Sequence, residues 1–242
     1  PHHENEIAQS ECATGHPFVR YWMHVKHLFV EGRKMSKSLG NFIRVRELLE
    51  EGYDPAAIRH LLISSHYRGE LNFTRAGLKA SGVAVQRLMD FEARLSQLET
   101  ADDADDAEES ALPGLAEKVV LDFRSTMDDD FNSAGALGVL FGFVTKVNAE
   151  LDAKGRVSTS DRDLALGALR SMDTVLGLLE VAQASRVIDD DLSSWVERMI
   201  EERAQARASK DFARADEIRE ELSAKNIVLE DSAEGTRWKV VN

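Results

Sequence analysis

Leu137-Gly138-Val139-Leu140-Phe141-Gly142-Phe143-Val144-Thr145-Lys146-Val147-Asn148-Ala149-Glu150-Leu151 sets Leu137, Leu140, Val144, Val147 and Leu151 at alternating spacings of three and four. Such spacing returns side chains to one face of an α-helix, whereas a strand would scatter them over both faces. The same signal recurs on either side. Upstream, Leu115, Val119, Phe123 and Met127 repeat every four residues after Pro113-Gly114, and Leu78, Val85, Leu88, Phe91 and Leu95 mark a long amphipathic segment over 75–98. Downstream, Leu164, Leu169, Met172, Leu176 and Leu179 form a further stripe. One apolar stripe per helix must be buried against another, and a helical bundle is the economical packing.

The ends of the chain read differently. Residues 1–50 look like strand, loop and short helix, with the apolar run Leu28-Phe29-Val30 followed by Gly32 and a helical stretch from Arg44 to Glu51. Near the other end, Trp195, Met199 and Arg203 head one helix. Ser209 or Asp211 caps a second, which carries Phe212, Ala215, Ile218 and Leu222, and Ile227 to Val240 reads as two short strands around a turn. Glu99 to Glu109 is a low-complexity acidic run with no apolar face, the signature of a solvated linker. Met127-Asp128-Asp129-Asp130-Phe131-Asn132 reads as a solvated turn in which Asp128 caps the next helix.

Composition bounds the function class. The 242 residues are 43% hydrophobic and 30% charged, which fits a packed core, and no run of apolar residues approaches the roughly 18 that a membrane helix needs. A single cysteine, Cys12, excludes an internal disulfide framework and suits a reducing compartment. The net charge of −13 opposes polyanion binding overall, but the acidity is concentrated. Residues 18–46 hold seven Lys and Arg against Glu31 alone, while residues 99–130 hold twelve acids against two bases. The basic stretch can therefore meet a polyanion locally.

Within that basic stretch, Lys34-Met35-Ser36-Lys37-Ser38, continued by Leu39-Gly40-Asn41, puts two ammonium groups three residues apart among hydroxyls. A loop of this kind can close over a triphosphate, with lysines as reorientable point charges and hydroxyls and backbone N–H groups completing the hydrogen bonding. Near the start, His2 and Glu6 stand at i and i+4, so on a helix an imidazole and a carboxylate share one face as a workable pair of zinc ligands. His3 is the alternative ligand, and Cys12 is read as structural.

The pentapeptide resembles the KMSKS loop of class I aminoacyl-tRNA synthetases, and Pro1-His2-His3-Glu4-Asn5-Glu6-Ile7-Ala8-Gln9-Ser10 resembles the corresponding segment of cysteinyl-tRNA synthetases. Tyr21-Trp22-Met23-His24 resembles that family's approach to the loop, with Lys26 a departure where a small residue is usual. Ser65-His66-Tyr67-Arg68, Met127 to Asn132, Lys210-Asp211-Phe212 and Gly235-Thr236-Arg237-Trp238 follow its later pattern. The resemblance implies a mainly α fold. It comprises the end of a class I nucleotide-binding, Rossmann-like catalytic domain (1–50), a helical linker (51–98), an acidic linker (99–112), a helical bundle on the anticodon side (113–190) and a small α+β anticodon-binding module (191–242).

By the same resemblance the activity is ATP-dependent formation of cysteinyl-adenylate and transfer to tRNA(Cys). Lys34 and Lys37 would be catalytic, and Lys34, Ser36, Lys37 and Ser38 would bind ATP with Mg2+. His2 and Glu6 would hold one Zn2+ with two upstream thiolates. His24 lines the adenosine pocket or packs beside it. Arg203, Arg207 and Trp238 are candidate tRNA contacts, Trp238 equally a core residue. The protein is expected to be the carboxy-terminal part of a monomeric, cytoplasmic enzyme, not bound to membranes and inactive alone, since a HIGH-type motif and the zinc thiolates are absent from this sequence. A cysteine ligase with an amino-sugar acceptor and a freestanding tRNA-binding module are the competing readings.

Overall fold

The computed structural model describes residues 2–100, 110–154, 156–209, 211–224, 227–232 and 235–240, the side chains of 187–193, 208 and 228–240 excepted. Its amino-terminal part is built on three short strands. β1 (Leu28–Val30) pairs antiparallel with β2 (Arg33–Lys34) and parallel with β3 (Leu71–Phe73). The β1–β2 turn puts Glu31 at φ 48° and Gly32 at φ 75°, the two left-handed residues that a tight two-residue hairpin requires. Parallel pairing of β1 with β3 needs a crossover. It is supplied by α2 (Val45–Glu50) and α3 (Pro55–Ile63), the second begun by Pro55 with the Asp54 carboxylate accepting from Ala56 N at 2.7 Å. Val30, Leu48, Ala57, Ile58, Leu61, Phe73 and Leu78 close a small core over this sheet.

Ahead of the sheet, α1 (His2–Thr14) buries none of its residues. Behind it, α4 (Arg75–Gln97), α5 (Leu112–Asp128), α6 (Ser133–Lys154) and α7 (Thr159–Leu176) pack with the first part of α8 (Leu178–Ala208) as the expected bundle. The periodic positions of α4 and α6 named above are buried throughout. α6 is long and apolar enough to span a membrane by length and composition, but its apolar stripe lies in the bundle core. Two expectations are corrected. Leu164 is half exposed, and Leu179 belongs to a new helix, because Gly177 at φ 61° ends α7. The Asp173 carboxylate then starts α8, accepting from Leu178 N, Leu179 N and Glu180 N at 2.8, 3.0 and 3.1 Å. Apolar spacing alone runs through such a break, since i+3 happens to bridge it.

α8 carries the chain past residues 190–191 without interruption, so Trp195, Met199 and Arg203 lie within a helix rather than at its head. Its far end packs on α9 (Phe212–Ala224) through Val196, Met199, Ile218 and Leu222, with Ile227 of β4 (Ile227–Ser232) completing the cluster. Asp211 caps α9 through Arg214 N at 3.1 Å, while Phe212 is exposed. β4 pairs antiparallel with β5 (Gly235–Val240), as the spacing predicts. The acidic run at 101–109 lies outside the described residues, and Leu112, assigned to that linker, is fully buried at the start of α5.

One partly buried contact between α3 and α4 makes stability pH-dependent. His60 Nδ1 stands 3.0 Å from the Oγ of buried Ser81, and burial pushes the imidazole below its ordinary pKa of 6.5. The unfolded chain then binds the proton more readily. This contribution is complete above pH 6.5 and is lost as pH falls through the lower folded value. Thermal midpoints measured from pH 7.5 to about pH 5 are expected to fall, and less steeply in His60→Gln. Identical slopes would contradict this.

Candidate nucleotide-binding site

The Lys34–Ser38 loop is shaped by its own side chains. Lys34 ends β2, and Met35 N donates to Leu28 O at 3.1 Å while its side chain packs on the small core. Ser36 caps a single 3-10 turn at Lys37–Leu39, its Oγ accepting from Leu39 N at 3.2 Å. Gly40 closes the turn at φ 65° and donates to Lys37 O. Asn41 braces both limbs: its Oδ1 accepts from Ser36 N at 2.9 Å, and its Nδ2 donates to Lys34 O at 3.2 Å. The sequence reading assigns Asn41 no role; an amide at the foot of a Gly-ended turn, carrying both a donor and an acceptor, is the signal that could have marked it.

The result is a preformed loop whose two lysines are exposed. Lys37 Nζ lies 5.8 Å from the Phe42 ring centroid, and neither Lys34 nor Lys37 has a carboxylate partner among the described residues. Ser36 Oγ and Ser38 Oγ stand 3.2 Å apart, so the Ser36 hydroxyl is already engaged as a cap and Ser38 is the freer of the two.

On α1, His2 Nε2 and Glu6 Oε1 are 3.5 Å apart and exposed. Two ligand atoms each ~2.1 Å from a tetrahedral zinc stand about 3.4 Å apart, so the pair can share one cation. No group of three or more metal-ligating side chains occurs among the described residues, so the pair fits two of four positions. His3 turns elsewhere, its ring centroid 5.2 Å from that of Trp22 and 4.7 Å from that of His24, with Trp22 and His24 near-parallel at 8°. Glu6 is therefore paired with His2 and not with the alternative His3. Cys12 is a free, exposed thiol.

The Asp128–Asp130 triplet is the clearest departure from expectation. Asn132, not Asp128, caps α6, its Oδ1 accepting from Gly135 N at 2.9 Å. Asp130 is not simply solvated. Its carboxylate accepts from Tyr67 Oη at 2.5 Å and from Arg68 Nε at 2.7 Å, and His66 Nε2 lies 3.9 Å away. These groups, the Tyr67 hydroxyl foremost, hold the Asp130 carboxyl below its usual range. Sequence separations above 60 residues hid this cluster.

Arg203 and Arg207 lie one turn apart on α8, the first half-buried and the second exposed, each engaged in contacts within the protein. Trp238 stands opposite Leu229 in the β4–β5 ladder, its side chain outside the described ones.

Comparison with known proteins follows the same division. The class I (C) tRNA synthetase catalytic domain family matches residues 1–82, the DALR domain family residues 122–180, and the cysteinyl-tRNA ligase anticodon binding domain family residues 189–238. The cysteine–tRNA ligases of Solibacter usitatus and Symbiobacterium thermophilum are each 42% identical over 99% of the chain and 50% of their own length. That of Geobacter sulfurreducens is 42% identical over 99% of the chain and 52% of its own. The chain spans about half the length of the curated relatives it matches. With three successive domain matches in order, and the lysine loop and His2–Glu6 pair inside the first, the chain belongs to the cysteinyl-tRNA synthetase family.

Proposed function

We propose that this chain provides the loop-bearing part of the catalytic domain and the tRNA-binding part of a cysteine–tRNA ligase. In that reaction the cysteine carboxylate attacks the α-phosphorus of ATP and expels pyrophosphate. A terminal ribose hydroxyl of tRNA(Cys) then attacks the adenylate carbonyl carbon and releases AMP. The observation that carries this reading is the Asn41-braced loop, which leaves Lys34 and Lys37 exposed without carboxylate partners among the described residues.

In this mechanism Lys37 and Lys34 neutralise negative charge as it develops on the departing pyrophosphate. Ser38 donates to a phosphate oxygen, and Ser36 acts chiefly by holding the turn. Mg2+ accompanies ATP as part of the substrate. His2 and Glu6 would hold two positions of a zinc ion, which when bound supplies a soft site for the substrate thiolate. Selection of cysteine over serine then follows from ligand softness. Arg203 and Arg207 face the anticodon stem or loop, with Trp238 a stacking residue. The full enzyme is read as a cytoplasmic monomer; the free Cys12 thiol of this chain fits a reducing compartment. The match of residues 189–238 to an anticodon-binding family favours tRNA over an amino-sugar acceptor.

Filter binding of this chain to tRNA(Cys) and to an unrelated tRNA, across a salt series, tests the assignment. Preference for tRNA(Cys) that disappears on changing its anticodon is expected. Equal and weak binding to both, abolished by modest salt, would remove the anticodon-reading role.

A further inference from the structure

Asp130 and Phe131 form a left-handed turn between α5 and α6. Asp130 sits at φ 56° and Phe131 at φ 55°, both in the left-handed region, which aspartate tolerates and a bulky residue such as Phe131 enters only under constraint. Consecutive left-handed non-glycine residues are held at an energetic disadvantage, and such outliers call for a compensating role. Here the strained turn between α5 and α6 aims the Asp130 carboxylate away from the bundle at Tyr67 and Arg68. Tyr67 in turn accepts at its carbonyl oxygen from Lys26 N, 3.0 Å away.

Lys26 belongs to the segment that connects both halves of the candidate site. Just before it are Trp22 and His24, packed with His3 beside the His2–Glu6 pair. Just after it is β1, whose partner β2 leads into the lysine loop. Met23, Val25, Arg59, Tyr67 and Phe131 line one cleft of ≈ 280 Å³ between this segment and the bundle. Much of the segment is open to solvent: Tyr21 is 91% exposed, Val25 72% and Met23 55%.

We propose that Asp130 is a positioning residue: through Tyr67 and Lys26 it fixes the Trp22–His27 segment against the helical bundle, so that RNA bound by the bundle is felt at the activation site. The tie itself stands on geometry. Its response to RNA rests on the proposed tRNA-ligase function.

The decisive variant is Asp130→Gly, which relieves the left-handed backbone while deleting the carboxylate. Tyr67→Phe removes one hydroxyl, and Asp130→Asn keeps an acceptor for it. Hydrogen–deuterium exchange of this chain is followed over 18–31 and 64–72, with and without a cysteine tRNA transcript, alongside the melting temperature. In Asp130→Gly the melting temperature is expected not to fall, while exchange over 18–31 becomes at least about tenfold faster. Tyr67→Phe should reproduce the faster exchange, and Asp130→Asn should restore part of the protection. Protection gained over 18–31 when the wild type binds the transcript should be absent in Asp130→Gly. Unchanged exchange over 18–31 in both Asp130→Gly and Tyr67→Phe would overturn the tie, as would uniformly faster exchange with a lower melting temperature. If the wild type does not bind the transcript, the tRNA-binding role proposed for this chain fails, and RNA-free exchange alone still decides the tie.

Discussion

Replacing Lys37 with alanine is expected to lower cysteine-dependent ATP–pyrophosphate exchange by about 10²–10³, the loss seen when one preorganised partner for developing charge is removed. The measurement belongs to the full-length ligase carrying this chain, because the chain spans about half of its relatives. The effect should fall on the rate and leave the KM for cysteine nearly unchanged, since the lysine meets charge that grows only as pyrophosphate departs. Lys37→Arg should recover little: the planar guanidinium cannot reorient as a compact ammonium does. The fold should be unaffected, because Lys37 is exposed, its carbonyl still accepts from Gly40 N, and its side chain makes only a surface contact with the Phe42 ring. A Lys37→Ala enzyme within about threefold of wild type would sink the catalytic assignment and leave the loop as a solvated turn.

Replacing Asp173 with alanine is expected to destabilise the fold by about 3 kcal/mol. Hydrogen bonds to a charged acceptor contribute roughly 1.5–3 kcal/mol, and a carboxylate at a helix N-terminus adds about 0.3–1 kcal/mol. Asp173 is 9% exposed and accepts from three successive N–H groups, so its removal strands donors at the first turn of α8. The same joint is fastened by Arg59, whose Nε donates to Leu176 O. A loss of ~3 kcal/mol corresponds to a drop in melting temperature of roughly 6–12 °C for a chain of this size. Chemical denaturation should show a lower midpoint with unchanged slope. Asp173→Asn, which keeps one oxygen acceptor and loses the charge, should fall about halfway. A midpoint within experimental error of wild type would show that water satisfies those donors equally well.

The two substitutions differ in how visible they were beforehand. Lys37 could be singled out from eight consecutive residues, because the chemistry of a phosphate-binding loop is carried by residue types close in sequence. Asp173 could not. Nothing in Met172-Asp173-Thr174-Val175-Leu176-Gly177 distinguishes a helix-ending aspartate from a solvated one until Gly177 turns left-handed and brings the next three amides onto its carboxylate. Ser36 shows the same limit on a smaller scale. Its residue type suggested a phosphate ligand, and the fold engages its hydroxyl with Leu39 N.

The sequence by itself determined the helical stripes of α4, α5 and α6, the closing β4–β5 hairpin, the lysine loop and the His2–Glu6 pair. Each depends on periodicity or on neighbours within a few residues, which local sterics and side-chain chemistry dictate. Only the tertiary structure decided that Leu164 faces out, that α8 runs unbroken past residue 190, and that Asp130 reaches Tyr67 and Arg68. Those outcomes turn on which surfaces meet after the helices pack. A hydrogen bond between residues 63 apart leaves no periodic trace in the chain, and its partners acquire their roles only when packing brings them within 3 Å.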